Sequence, residues 1–376
     1  MRGESGTTSE KNTGHQHVAT SLLPLEEYVR KLLSKSRDDM PDRNTDYWAK
    51  YLHLLDALRA YVYPHVNAGL ACLSKSPGIY TDHGPDHFDE VVRYAGLLLG
   101  VPSGGAIKEL RPYELYLMLC AIRLHDAGNV EGREGHERRA SRILQQYGGT
   151  IALDSAEAKL VGDIAEAHGG TTLTGSKDTI GELPDDDTPI GSISCRPRQV
   201  AALVRFADEI CEHSTRAARH HMLSGTLPDA NKLFHYYAAS VKAAHCGPPK
   251  CFKLRLEIDT QYLLQPYPLP STDPGVQVDK YLIDDVLDRI SKLDRERRYC
   301  NQFLAPSLRT EELEIHIEFQ EDTQVRPDLR KPLIVDDLHI RIPPKEGYPA
   351  AHDSWRDERP ELRGATLAER AKEGWR

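Results

Sequence analysis

Between residues 83 and 216, five helix-like stretches follow one another, and in each of them a histidine or an aspartate ends or interrupts the apolar face. From residue 86 onward, helical spacing puts His87 on one face with Val91, Tyr94, Ala95 and Leu98. The next stretch, PYELYLMLCAIRL, is almost wholly apolar until His125 and Asp126 close it. His136 stands at the start of a helix whose apolar positions are Ala140, Ile143 and Leu144. A capping pair, Asp154 and Glu157, opens the fourth stretch, which buries Leu160, Val161 and Ile164 and brings His168 to the same face ahead of Gly169 and Gly170. Pro197 opens the fifth, in which Val200, Val204 and Asp208 fall on one line at four-residue spacing.

A lone core histidine is ordinarily a hydrogen-bonded structural residue, but four histidines and two aspartates on consecutive apolar faces are a different proposition. Burying an unpaired carboxylate costs several kcal/mol, so Asp208, expected to be buried, needs a cation, and the imidazoles need hydrogen-bond partners or a metal. One shared metal site meets both needs. Imidazole with carboxylate suits Mn, Fe, Co, Ni, Zn or Mg rather than a thiolate-seeking ion, and a carboxylate, having two oxygens, suits the bridge between ions. Asp126 is expected in that role.

The chain of 376 residues, 39% apolar, is long enough for one large domain or two modest ones. Its pattern is mainly α, with helical periodicity from residue 21 to 235 and almost no strand signal there; one long helix is expected over 46–66, carrying Leu52, Leu55, Leu58 and Val62. Residues 236–345 read as a small α+β subdomain. In it Phe252, Leu254, Leu256 and Ile258 alternate with polar residues, as do Leu313, Ile315, Ile317 and Phe319, and then Leu338, Ile340 and Ile342, with an amphipathic helix over 278–304. Segments 1–20 and 346–376 read as a disordered and a flexible tail. No apolar run reaches the roughly 18 to 20 residues of a membrane span, so no membrane partner and a cytoplasmic location are expected. The seven cysteines are odd in number and scattered, which argues against a disulfide framework. A net charge of −9 argues against broad attraction to nucleic acid.

The order H…HD…H…H…D resembles the HD superfamily of metal-dependent phosphohydrolases. The resemblance spans about residues 83 to 216 and rests on His87 with Val91, LHDAG from Leu124 to Gly128, GHERRAS from Gly135 to Ser141, the lone His168, and FADEI from Phe206 to Ile210. It implies that His87, His125, Asp126 and Asp208 hold one divalent ion and that His136 and His168 hold a second, with Asp126 shared and His125 and Asp126 central to catalysis. TDHGPDH followed by HDAGNVEGREGHE is more narrowly similar to HD domains of bacterial conflict and defence systems. Where many dinuclear relatives carry a lysine soon after the HD pair, this chain has Asn129, and Arg133 is the nearest alternative cation.

The implied chemistry is hydrolysis of a phosphoester by metal-activated water, without a protein nucleophile. Arg133, Arg138, Arg205, Arg216 and Arg219 are the guanidinium candidates for phosphate; Arg133 and Arg216 rank first because they follow soon after HD and FADEI. His83, four residues before His87, is a candidate to orient a ligand or to protonate a leaving group. A nucleotide or cyclic nucleotide is the first substrate class, with manganese among the candidate ions. Two alternatives are a single-stranded nuclease, as in CRISPR-associated HD relatives, and a non-catalytic nucleotide-sensing or scaffolding component. A homo-oligomer is compatible with the pattern.

Overall fold

Helix α1 (Pro24–Leu33) turns Leu25, Val29 and Leu33 inward, and α2 (Tyr47–Tyr61) buries Tyr51, Leu54, Leu55 and Leu58 against it. The single helix expected over 46–66 breaks at Val62, and α3 (Tyr63–Leu73) starts there. Pro64, near the start of α3, has no N–H to give to the preceding turn, so the helix restarts rather than continues. Prolines likewise open α4 (Pro85–Leu98) and α5 (Pro112–Leu124), where a missing N–H costs nothing. Every residue of α5 from Tyr113 to Leu124 is buried, and it forms the axis on which α1, α2, α4 and two later helices pack.

After α5 the chain passes through 3-10 turns at Ala127–Glu131 and His136–Arg138 into α6 (Ala140–Gln146). Asp154 caps α7 (Ser155–Glu166) by accepting the Ala156 and Glu157 N–H groups. A short hairpin, β1 (Thr188–Ile190) with β2 (Ile193–Cys195), interrupts a region expected to lack strands. Helix α8 (Pro197–Glu209) then packs on α5 and α7, and α9 (Arg219–Leu223) and α10 (Asp229–Ser240) follow. The boundary expected between residues 235 and 236 falls inside α10, because its apolar face continues through Tyr237 and Ala238.

In the computed structural model the described residues are 21–75, 78–104, 106–147, 153–184, 187–247, 250–269, 278–321, 332–345, 347 and 362–374. The expected tail at 1–20 lies outside them. The C-terminal part contributes β3 (Val241–Gly247), β4 (Cys251–Asp259), β5 (Tyr267–Leu269), β6 (Val278–Lys280), α11 (Leu282–Asn301), β7 (Glu312–Glu321) and β8 (Leu333–Ile342). Strands β3, β4, β7 and β8 form one sheet in that order. Its central pair, β4 and β7, is parallel and joined through α11, while the outer pairs are antiparallel. The helix expected over 278–304 is shorter at both ends, since Val278–Lys280 pairs with β5 instead. Part of the expected tail at 346–376 forms α12 (Gly364–Lys372), which docks through Leu362, Leu367 and Ala368 while the Gly364 N–H donates to Asp284. Its few apolar positions are spread among charges, which hid the helix in the sequence. The whole is mainly α with a small sheet in the C-terminal half, and one continuous apolar core links α1 to α12. No helix among the described residues is long and apolar enough to cross a membrane.

Buried charges set the helix positions. Arg123 of α5 donates to Glu26 of α1 at 2.7 Å and to Tyr51 of α2 at 2.9 Å, and also pairs with Asp89 of α4. Glu114 of α5 accepts from the Arg196 guanidinium at 2.6 Å beside the start of α8, and Glu157 of α7 accepts from Lys50 of α2 at 2.7 Å. Burial alone would raise the Glu26 carboxyl, but the Arg123 charge, Tyr51 and the Leu23 N–H hold it below its ordinary 4.5. A carboxylate depressed in the folded state stabilises above its unfolded value and loses that contribution as pH falls through the folded one. Glu26→Gln is therefore expected to cost about 2 kcal/mol at pH 7 and much less near pH 3. Urea midpoints at the two pH values check this, and an equal loss at both would contradict the assignment.

Candidate metal centre

Each candidate ligand sits near a helix end, and backbone carbonyls there orient three of the histidines. His125 is the C-cap of α5, and its Nδ1 lies 2.8 Å from the Ile122 carbonyl. The same step of three residues recurs at His136, with Nδ1 2.8 Å from the Arg133 carbonyl, and at His168, with Nδ1 2.6 Å from the Ala165 carbonyl. A carbonyl accepts only, so each Nδ1 carries a proton and Nε2 is the nitrogen turned to the interior, where it can give its lone pair to a cation once deprotonated. His87, on the first turn of α4, is backed instead by the Cys211 thiol at 3.8 Å.

The Nε2 atoms converge on two carboxylates. His87 and His125 approach Asp208 Oδ1 at 3.2 and 3.5 Å and each other at 3.3 Å. They also stand 3.5 and 3.8 Å from Asp126 Oδ2. The other oxygen of Asp126, Oδ1, faces His136 at 3.0 Å and His168 at 3.7 Å. Three overlapping donor groups result: His87, His125 and Asp208; Asp126, His136 and His168; and His83, His87 and Asp126. Separations of 3 to 4 Å between donors suit a common ion about 2 Å from each. The donor set of imidazole nitrogens and carboxylate oxygens therefore fits a divalent ion of the zinc, manganese or iron type.

Residues 78–262 match the family model HD-CE. The chain carries an HD domain. The match starts just ahead of His83 and runs on through β3 and β4, so it takes in all six expected ligands. No curated protein matches the chain.

Within the HD domain the two aspartates are kept ionised against their burial. Burial would raise the Asp126 carboxyl, but the imidazoles of His83 and His125 and hydrogen bonds from His136 and His168 hold it well below its usual range. Asp208 is held down in the same way by His125 and His87 against the effect of burial. Burial lowers His136, yet Asp126 and Glu137 together push it up to about 9, while burial brings His83 down to about 3. Gly128 lets the HD turn close on this cluster, because a Cβ there would lie 2.1 Å from the His136 carbonyl oxygen. Gly170, at φ +71°, accommodates the Glu137 side chain that packs beside His136.

The structure departs from the sequence reading at Asp208, whose side chain keeps 26% of its surface exposed. It is the second-last residue of α8, in its final turn, and the centre is open to solvent there. Of the candidate cations, Arg133 stands 3.8 Å from Asp126 with its side chain 42% exposed, and Arg216 lies 3.3 Å from His83 Nε2. His83 itself contacts Asp126 Oδ2 through Nδ1 at 2.7 Å, which places it against the carboxylate shared between the candidate donor groups. Arg219 is exposed on α9, and among the described residues no hydrogen bond or ion pair joins it to the cluster. Arg138 donates to Thr171. Arg205 is held by Glu296 of α11 at 2.7 Å and so serves as a tether between α8 and α11. Asn129 is wholly buried, with its Nδ2 lacking a partner. Cys211 and Glu137 were not singled out from the sequence, although both lie within three residues of an expected ligand.

Proposed function

We propose that the HD domain is a two-metal phosphohydrolase acting on a nucleotide or cyclic nucleotide. The observation that carries this reading is the division of Asp126, one oxygen toward His87 and His125 and the other toward His136 and His168. His87, His125, Asp126 and Asp208 would hold one divalent ion, and Asp126, His136 and His168 a second. Divalent ions so placed supply Lewis acidity, which makes water acidic enough near neutral pH to attack phosphorus and offsets charge on the departing oxygen. The backbone carbonyls behind His125, His136 and His168 keep the ligand set preorganised. Arg133 and Arg216, beside the cluster, receive the phosphate; their planar donors match its oxygens in pairs. His83 holds Asp126 in orientation. A net charge of −9 favours a small phosphorylated ligand over a nucleic-acid strand.

The test is metal content of the purified chain, followed by hydrolysis of nucleoside phosphates, cyclic nucleotides and single-stranded DNA with added Mn. About two ions per chain and turnover of a mononucleotide or cyclic nucleotide support the proposal. Cleavage of single-stranded DNA alone would move the assignment to a nuclease, and stoichiometric metal with no hydrolysis would move it to nucleotide sensing.

Arg216→Ala is expected to lower kcat/KM roughly 10- to 100-fold, mainly through KM, because a charge-assisted hydrogen bond to phosphate contributes about 1.5 to 3 kcal/mol. Arg216→Lys would recover part of the loss. Steady-state kinetics decide it, and a KM unchanged in the alanine variant would remove Arg216 from the phosphate site.

A further inference from the structure

We propose that the outer face of the C-terminal sheet holds a separate transition-metal site, formed by His316, Asp337 and His339. None of the three lies within the HD-CE match at 78–262. Strand alternation sends Leu313, Ile315 and Ile317 of β7 into the core and leaves His316 on the opposite face. His316 and His339 are direct partners in the antiparallel β7 and β8 ladder, and Asp337 precedes His339 by two residues, so all three side chains share the outer face.

Their donor atoms are already gathered. Asp337 Oδ2 lies 2.9 Å from His339 Nε2 and 3.5 Å from His316 Nε2, and the two rings stack with centroids 4.0 Å apart. Ligands about 2.0 to 2.1 Å from a tetrahedral ion are separated from each other by about 3.3 Å, so these spacings need little adjustment. On its other side, His316 Nδ1 is 3.7 Å from Glu318, which leaves Nε2 as the nitrogen turned to Asp337.

The neighbouring charges do not compete for Asp337. Arg255, opposite His316 in the parallel ladder, pairs with Glu318 at 2.9 Å, Arg341 pairs with Glu312 at 2.7 Å, and Lys253 pairs with Glu314. Among the described residues, Asp337 pairs with the two imidazoles and with no lysine or arginine. Two imidazoles and one carboxylate select zinc, nickel, cobalt or copper over magnesium or calcium. Three protein donors leave a fourth position for water or an exogenous ligand. A concavity of about 560 Å³ adjoins it, lined by His245, Lys253, Arg255, His316, His339 and Arg341. An ion there would also clip β8, an edge strand, to β7.

The experiment uses the full chain and Zn²⁺ alone as the probe. Zinc bound at equilibrium is counted for the parent chain, for His316→Ala, for His339→Ala and for Asp126→Ala. Loss of one equivalent in each sheet variant, with a zinc-dependent rise in Tm that both variants lack, is the expected result. These side chains are 31% and 70% exposed, so the variants should fold, and their far-UV circular dichroism without metal checks that they do. Asp126→Ala should retain this equivalent while losing zinc from the HD centre, so failure at one centre leaves the other still measured. A histidine pair elsewhere, His220→Ala with His221→Ala, controls for loose binding and should keep the full count. Zinc stoichiometry and Tm response unchanged in both sheet variants would overturn the proposal.

Discussion

On the proposed two-metal reading, Asp126→Ala is expected to abolish metal binding at the HD centre and to reduce phosphoester hydrolysis about 10³-fold or more. Each histidine ligand turns one nitrogen to the centre, whereas Asp126 offers Oδ2 to His83, His87 and His125 and Oδ1 to His136 and His168. Its loss therefore dismantles both halves of the centre at once. Lewis-acid assistance contributes several kcal/mol to such a reaction, and about 4 kcal/mol corresponds to a factor of roughly 10³ in rate. Asp126→Asn sharpens the experiment. The amide keeps the shape and one oxygen but turns an acceptor into a donor that faces imidazole lone pairs, so it should lose activity almost as fully while the fold survives. Metal per chain is read beside the rate, and unchanged metal with unchanged turnover in Asp126→Ala would refute the assignment.

The second large effect is structural. Arg123→Met is expected to destabilise the chain by about 3 to 5 kcal/mol, the usual cost of leaving a buried ionic partner alone. The Arg123 side chain is 1% exposed, and three helices besides its own send a group to it: Glu26, Tyr51 and Asp89. Without the guanidinium, Glu26 retains, among the described residues, the hydrogen bonds from the Tyr51 hydroxyl and the Leu23 N–H. The pair replaced together, Glu26→Leu with Arg123→Met, should regain much of the loss, since apolar groups of similar volume carry no desolvation penalty. A double-mutant cycle in urea measures the coupling. If the double variant is less stable than Arg123→Met alone, the desolvation argument is wrong for this core.

Arg123 also bears on the metal centre. It lies two residues before His125, and its carbonyl accepts from Tyr63, so the end of α5 that carries the HD pair is anchored from both α1 and α3. The rigid placement of His125 and Asp126 follows from that anchoring as much as from the local turn.

Much of the centre was legible in the amino-acid order because helical periodicity makes a polar residue on an apolar face conspicuous. His87, His125, His136, His168, Asp126 and Asp208 each stood out this way, and folding brings all six together. The alternation in β4, β7 and β8 was legible for the same reason at period two. Elements whose signal depends on few residues were not. The hairpin of β1 and β2 is only three residues per strand, α12 shows its apolar positions amid charges, and the break at Val62 turns on one proline.

The sequence by itself determined which residues meet, since local periodicity decides which face of each helix turns inward and the hydrophobic effect then drives those faces together. Tertiary structure alone decided how they meet. That Asp126 divides its oxygens between two histidine pairs, that Asp208 opens to solvent, and that Arg205 is spent on Glu296 while Arg216 lies beside His83 all depend on helix crossings. Those crossings are set by side-chain packing and buried ion pairs between segments far apart in the chain, for which no short-range pattern exists.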